Sequence, residues 1–92
     1  MLINALLLDP RDNVVTCVTD VPAGSDVIYR NGDEWLSVKA VTDIPYCHKA
    51  ALTDLAEGDE VIKYGELIGR TTAPVPRGGL VWDRNLYSVP RD

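Results

Sequence analysis

Val21-Pro22-Ala23-Gly24-Ser25-Asp26-Val27 is the stretch from which the fold can be read. It runs apolar-Pro-x-Gly-x-x-Val, and the same frame returns at Val75-Pro76-Arg77-Gly78-Gly79-Leu80-Val81. Leu55-Ala56-Glu57-Gly58-Asp59-Glu60-Val61 keeps the frame without its proline. Ile44-Pro45-Tyr46-Cys47-His48-Lys49-Ala50 keeps it with cysteine in the glycine slot. Proline presets φ early in a turn, and glycine accepts the left-handed backbone that closes it. Each copy therefore predicts a tight turn feeding a strand, with the last apolar residue entering the core. At Cys47 a side chain stands where the frame asks for φ > 0, which L-residues disfavour. Either that turn has another shape, or Cys47 is strained, and strained positions gather at functional sites.

Outward from this frame the chain keeps the same rhythm. Leu2 to Leu8 reads as a buried strand, followed by the turn Asp9-Pro10-Arg11-Asp12-Asn13 and then the strand Val14 to Val18. Val27-Ile28-Tyr29 and Trp35-Leu36-Ser37-Val38 flank Asn31-Gly32, a pair that favours a type I′ hairpin turn. Further strands are expected at His48 to Leu52, Val61 to Tyr64, Leu67 to Gly69 and Leu80 to Trp82. A single helical turn is expected at Thr53 to Glu57. No stretch sustains helical periodicity, so the expectation is an all-β domain of short strands over residues 1–92.

Composition narrows the function. A chain of 92 residues fills one domain and leaves little depth for a private active site. Its formal net charge is −5, and its nine basic residues are scattered singly. Nucleic acid and anionic membrane partners both call for clustered cations, so neither is expected. The apolar opening Leu2 to Leu8 lacks a basic start and stops at Asp9, too short for a signal peptide or a membrane span. Without an export signal, Cys17 and Cys47 are read as free thiols.

Few residues carry chemistry. His48 is the sole histidine, with a side-chain pKa suited to proton transfer near neutrality. A polar strand residue bonded to a loop is the plain alternative. Lys49 beside it on the expected strand should face the other way, so one of the pair would meet substrate and the other a partner. Arg84 could hold a carboxylate in bidentate fashion but cannot serve as a base, and an exposed arginine without a role is the alternative. One histidine and two distant cysteines give no metal-ligand spacing, so no metal is expected to be bound by this chain alone. Trp35 and Trp82 read as core or interface anchors, Trp82 the better interface candidate.

The segment Asp43 to Gly69 resembles a known family. Asp43-Ile44-Pro45, His48-Lys49-Ala50-Ala51-Leu52, Val61-Ile62-Lys63-Tyr64-Gly65 and Ile68-Gly69-Arg70 are similar to the SAF domain of altronate and galactarate dehydratases and to the small subunit of sulfolactate sulfo-lyase. Asp9-Pro10-Arg11-Asp12-Asn13-Val14 fits the family's opening. The resemblance implies an SAF-type β-clip, a small barrel-like domain. It also implies a cytoplasmic system in which the chain is the small subunit of a sugar-acid dehydratase or related hydroxy-acid lyase. There it would complete the active site of a larger catalytic subunit. His48 would be catalytic, while Lys49, Arg84 and Asn85 would bind a small acidic sugar. Divalent iron would belong to the assembled enzyme, and self-association into a homo-oligomer is open. Two departures stand out. The family usually has glycine before His-Lys, where this chain has Cys47. The family also tends to end in His-Val-His-x-His-Asn, where this chain has Leu80-Val81-Trp82-Asp83-Arg84-Asn85. With those histidines gone, a carbohydrate- or small-molecule-binding SAF module without catalysis, or a structural partner subunit, is the alternative.

Overall fold

The computed structural model describes residues 2–88, and among them the chain forms strands and turns without a helix. The strands are β1 Ala5–Leu6, β2 Val14–Cys17, β3 Asp26–Asn31, β4 Glu34–Lys39, β5 Lys49–Ala51, β6 Glu60–Lys63, β7 Glu66–Thr71, β8 Leu80–Val81 and β9 Leu86–Ser88. Every pairing between them is antiparallel. The all-β expectation therefore holds.

The repeated frame makes the same turn four times. The fifth residue's N–H donates to the second residue's carbonyl, from Ser25 to Pro22, His48 to Pro45, Asp59 to Ala56 and Gly79 to Pro76, at 2.8–3.1 Å. The fourth residue is left-handed each time, with φ of 87° at Gly24, 69° at Cys47, 86° at Gly58 and 84° at Gly78. Positive φ in that place is the mark of a type II turn. Cys47 thus adopts the shape glycine makes easily, and the alternative of a differently shaped turn falls.

The first residues of the frame pair in space as isolated bridges, Val21 with Ile44 and Leu55 with Val75. The residue before each bridge caps the opposite turn. Asp43 Oδ1 accepts the Ala23 N–H at 2.9 Å, and Asp20 Oδ1 accepts the Tyr46 N–H at 2.8 Å. Asp54 Oδ1 accepts the Arg77 N–H at 2.8 Å. Pro74 stands where the fourth cap would be and has no acceptor side chain; in that turn Asp59 Oδ2 holds a different amide, the Ala56 N–H one residue earlier in the frame, at 2.7 Å. These carboxylates satisfy turn donors that no strand could reach.

The central sheet has the order β1-β2-β5-β8. Val14 and Val15 are both buried because successive side chains enter different clusters. Val15 and its cross-strand partner Ala50 join Val21, Val27, Tyr29, Val38 and Ile44. Val14 and its partner Ala51 join Leu55, Val61, Val75 and Val81. The β3-β4 hairpin covers the first cluster and the β6-β7-β9 sheet the second. A sheet covered on both faces reads as a continuous apolar run rather than an alternation.

Three expectations need correction. Thr53 to Glu57 is not helical; Leu55 forms the bridge to Val75 and Glu57-Gly58 make the turn. Tertiary pairing there overrides the modest helix propensity of Leu-Ala-Glu. The β3-β4 turn centres on Gly32-Asp33, not Asn31-Gly32, because Asn31 pairs with Glu34. Gly32 has positive φ and Asp33 does not, the type II′ pattern. Finally, Leu2 to Leu8 is not one buried strand. Only Ala5–Leu6 pairs, while Leu2 is 85 % exposed and Ile3, Leu6 and Leu8 lie at the surface.

Candidate functional site

His48 sits between the Tyr46-Cys47 turn and β5, on backbone tied at every step. Its N–H donates to the Pro45 carbonyl, and its own carbonyl accepts the Cys17 N–H at 2.8 Å. The Cys47 N–H donates to the Cys17 carbonyl at 2.9 Å, and the Tyr46 N–H is held by Asp20. The imidazole Nδ1 lies 3.0 Å from the Tyr46 carbonyl oxygen. A carbonyl can only accept, so in that contact the Nδ1 carries hydrogen. The neutral ring then presents Nε2 as a lone pair, the form a proton acceptor needs.

Lys49↔Val81 is the last paired position between β5 and β8, so His48 and Trp82 follow as neighbours just beyond it. Their ring centroids are 6.3 Å apart at 55°. The Arg84 guanidinium lies 5.2 Å from the Trp82 ring. Trp82 is half-buried and lines a groove of about 280 Å³ with Thr42, Pro74, Pro76, Leu80 and Asn85. Three of the four expected site residues thus meet at one indole or its turn. His48 and Arg84 both contact Trp82, and Asn85 closes the turn that carries it. The Asn85 amide is engaged there, accepting the Trp82 N–H at 2.8 Å and donating to the Leu80 carbonyl at 2.7 Å.

Lys49 heads β5, and His48 stands just outside the strand. The Lys49 side chain is half-buried. Burial pushes its ammonium below the usual lysine pKa, the nearby Lys63 charge adds to this, and Asp83 opposes it. The Tyr46 phenol is raised above its ordinary value, first by a hydrogen bond with the Cys47 side chain. Burial pushes the Cys17 thiol up to about 11. Both cysteines are free thiols, as expected, Cys17 buried and Cys47 exposed.

Among the described residues no three His, Cys, Asp or Glu side chains converge as metal ligands must. The resemblance assigns iron to the assembled enzyme, and the described residues offer no ligand set that would hold it unaided. Among the described residues no helix is long and apolar enough to cross a membrane. Sequence reasoning missed Trp82 as the platform for His48 and Arg84, having read it as an interface anchor.

Known proteins match this architecture at the sequence level. The chain is 32 % identical over 79 residues to galactarate dehydratase (L-threo-forming) of Escherichia coli (strain K12), across 86 % of this chain and 14 % of that enzyme. It is 39 % identical over 67 residues to altronate dehydratase of the same organism, across 73 % of this chain and 13 % of the enzyme. It is 47 % identical over 55 residues to (2R)-sulfolactate sulfo-lyase subunit alpha of Paracoccus pantotrophus, across 60 % of this chain and 79 % of that subunit. The chain therefore spans about one seventh of the length of the two dehydratases. The profile of the altronate/galactarate dehydratase SAF domain matches residues 3–89, so nearly the whole chain is accounted for and it belongs to that SAF-domain family.

Proposed function

We propose that this chain is the small component of a hydroxy-acid lyase of the sugar-acid dehydratase type, lending His48 to an active site completed on a larger catalytic subunit. The single observation behind this reading is the Nδ1 contact with the Tyr46 carbonyl, which leaves Nε2 free on a rigidly held ring. The similarity to a protein named as a subunit, over 79 % of that subunit's length, supports the small-chain form.

Dehydration of a hydroxy acid starts at a weakly acidic carbon beside a carboxylate. His48 Nε2 takes that proton, and the electron pair moves into the carboxylate as an enediolate. Positive charge from Lys49 and Arg84 stabilises the developing oxyanion. The neighbouring hydroxyl leaves as water after protonation by an acid on the larger subunit. No step runs through a metal on this chain. The setting is the cytoplasm, and the substrate is a small acidic sugar.

The test is His48→Ala and His48→Gln in the complex reconstituted with the large chain, with assembly measured separately. Loss of turnover by about two orders of magnitude or more, with assembly intact, is the expected result. Near-normal turnover would make His48 structural and favour a binding module without catalysis.

A further inference from the structure

The two hairpins are built alike, and one of them lacks a strand that the other has. On β3, the Asn4 N–H donates to the Ile28 carbonyl at 3.0 Å, its Oδ1 accepts the Ile28 N–H at 2.7 Å, and its Nδ2 donates to the Asp26 carbonyl at 2.9 Å. Asn13 repeats all three contacts on β6, with Ile62 and Glu60. Lys39 meets Asp26 across β3-β4, as Arg70 meets Glu60 across β6-β7. By this correspondence β4 is the counterpart of β7. The outer edge of β7 is covered by β9, whereas no strand lies beyond β4 among the described residues.

The open edge has a definite polarity. Ala40 accepts the Gly24 N–H and donates to the Ser25 carbonyl, so its backbone faces β3. Antiparallel alternation then turns Val38, Leu36 and Glu34 toward β3 and Trp35, Ser37 and Lys39 outward. Val41, next in the outward set, donates to the Gly78 carbonyl, and there the cover ends. Among the described residues the backbone groups of Trp35 and Ser37 find no partner on the outward side. Proteins blunt such edges with proline, bulges or projecting lysines. β4 has no proline and pairs with β3 in unbroken register. Its Lys39 ammonium is drawn back onto β3 by Asp26 at 3.4 Å and the Gly24 carbonyl at 3.2 Å.

We propose that the outer edge of β4 is a self-association surface, on which β4 of a second copy adds antiparallel about a two-fold axis. With Leu36 opposite its own equivalent, each Trp35 exchanges both backbone bonds with Ser37 of the second copy, four bonds in all. The same register sets Lys39 of each copy against the exposed Asp33 of the other, opposite charges at both ends. Placing Ser37 opposite its own equivalent instead would set Trp35 against Lys39 and leave Asp33 without a cation. The edge carries Asp26, Arg30, Asp33, Glu34 and Lys39, nearly balanced in a chain of net charge −5. A groove of about 200 Å³ lined by Asp26, Ile28, Trp35, Leu36 and Ser37 runs beside it. The Trp35 indole, 47 % exposed and 5.4 Å from the Arg30 guanidinium, is set against the Ser37 side of the second copy's groove, as an interface anchor should be. An isologous contact of this kind closes at two copies.

The experiment is sedimentation of the full chain from micromolar to millimolar concentration at physiological salt. A monomer–dimer equilibrium is expected, with amide exchange at Trp35 and Ser37 slowing as the dimer forms. Ser37→Pro removes an N–H that bonds nothing within the monomer, and proline is tolerated at such an edge. It should weaken dimerisation by about tenfold or more, through loss of two of the four bonds. Trp35→Glu changes a side chain exposed in the monomer and should also weaken it, and it decides the matter where the proline variant fails to fold. A chain that stays monomeric to millimolar concentration, or a dimer indifferent to these variants, would overturn the proposal. So would a monomeric chain whose assembly with the larger subunit is lost in the same variants, which would give the edge to that subunit. None of these residues belongs to the His48 site, so the two readings fail independently.

Discussion

Replacing Cys47 with glycine should make the chain more stable. Cys47 holds φ 69° where the three sister turns place glycine at 84–87°. Left-handed backbone costs an L-residue about 1–2 kcal/mol. Glycine gives back about 0.5–1 kcal/mol of that through its greater freedom in the unfolded chain. Cys47 is exposed, so little packing is lost with its side chain. The net gain is about 0.5–1 kcal/mol, which in a chain of this size raises Tm by about 2–8 °C. Two substitutions in the same slot calibrate the argument. A Cβ at Gly24 would meet nothing within 4 Å, so Gly24→Ala should lose stability by a similar amount through φ alone. A Cβ at Gly78 would run into the Lys39 carbonyl oxygen, so Gly78→Ala should cost well more. Urea unfolding of the three variants, with unchanged m-values, separates the terms. An unchanged or lower midpoint for Cys47→Gly, or equal losses at Gly24 and Gly78, would refute the reasoning.

Asp12→Asn should destabilise the fold by about 1–3 kcal/mol, because one of the two oxygens that hold the Asp9, Tyr64 and Gly65 amides becomes a donor; the urea midpoint reports it. Lys49→Met should raise Tm at neutral pH. Folding lowers the lysine's pKa, so the folded state disfavours the charged form, and stability climbs as pH rises from the folded toward the unfolded pKa. That alkaline climb should disappear in the variant. A thiol reagent at pH 8 should label Cys47 quickly and leave Cys17, with its pKa pushed up to about 11, unmodified until unfolding; mass spectrometry after a short pulse decides it.

The turns were legible in the sequence because proline and glycine act locally. Val21, Val27, Ile44, Ala50, Val61 and Val81 entered the core as the frame required. What joins the turns was not legible, since Asp20 caps Tyr46 across 26 positions and Asp43 caps Ala23 across 20. Leu86–Ser88 went unread as a strand because, among the described residues, it pairs with β7, far back in the chain. The Gly32-Asp33 turn slid by one residue because pairing, not the dipeptide, fixed its register. In the site, a lone histidine drew attention to itself, but the carbonyl that sets its tautomer belongs to Tyr46 and no pattern marks it.

The long reach of the carboxylate and amide tethers also sets the order in which the chain can fold. Asn13 grips the Ile62 amide across 49 residues, and Asp12 grips Gly65 across 53. Each such link closes a large loop before it repays the lost chain entropy. Only β3-β4 and β6-β7 bring neighbouring strands together through two-residue connections. Those hairpins can form in microseconds, yet neither buries its apolar face until the central sheet arrives. The rate-limiting event is therefore the meeting of distant segments on β2 and β5, which puts this small chain among slow, high-contact-order folders. Until that meeting, Val14, Val15 and Val61, all buried in the finished fold, remain exposed to whatever else is in solution.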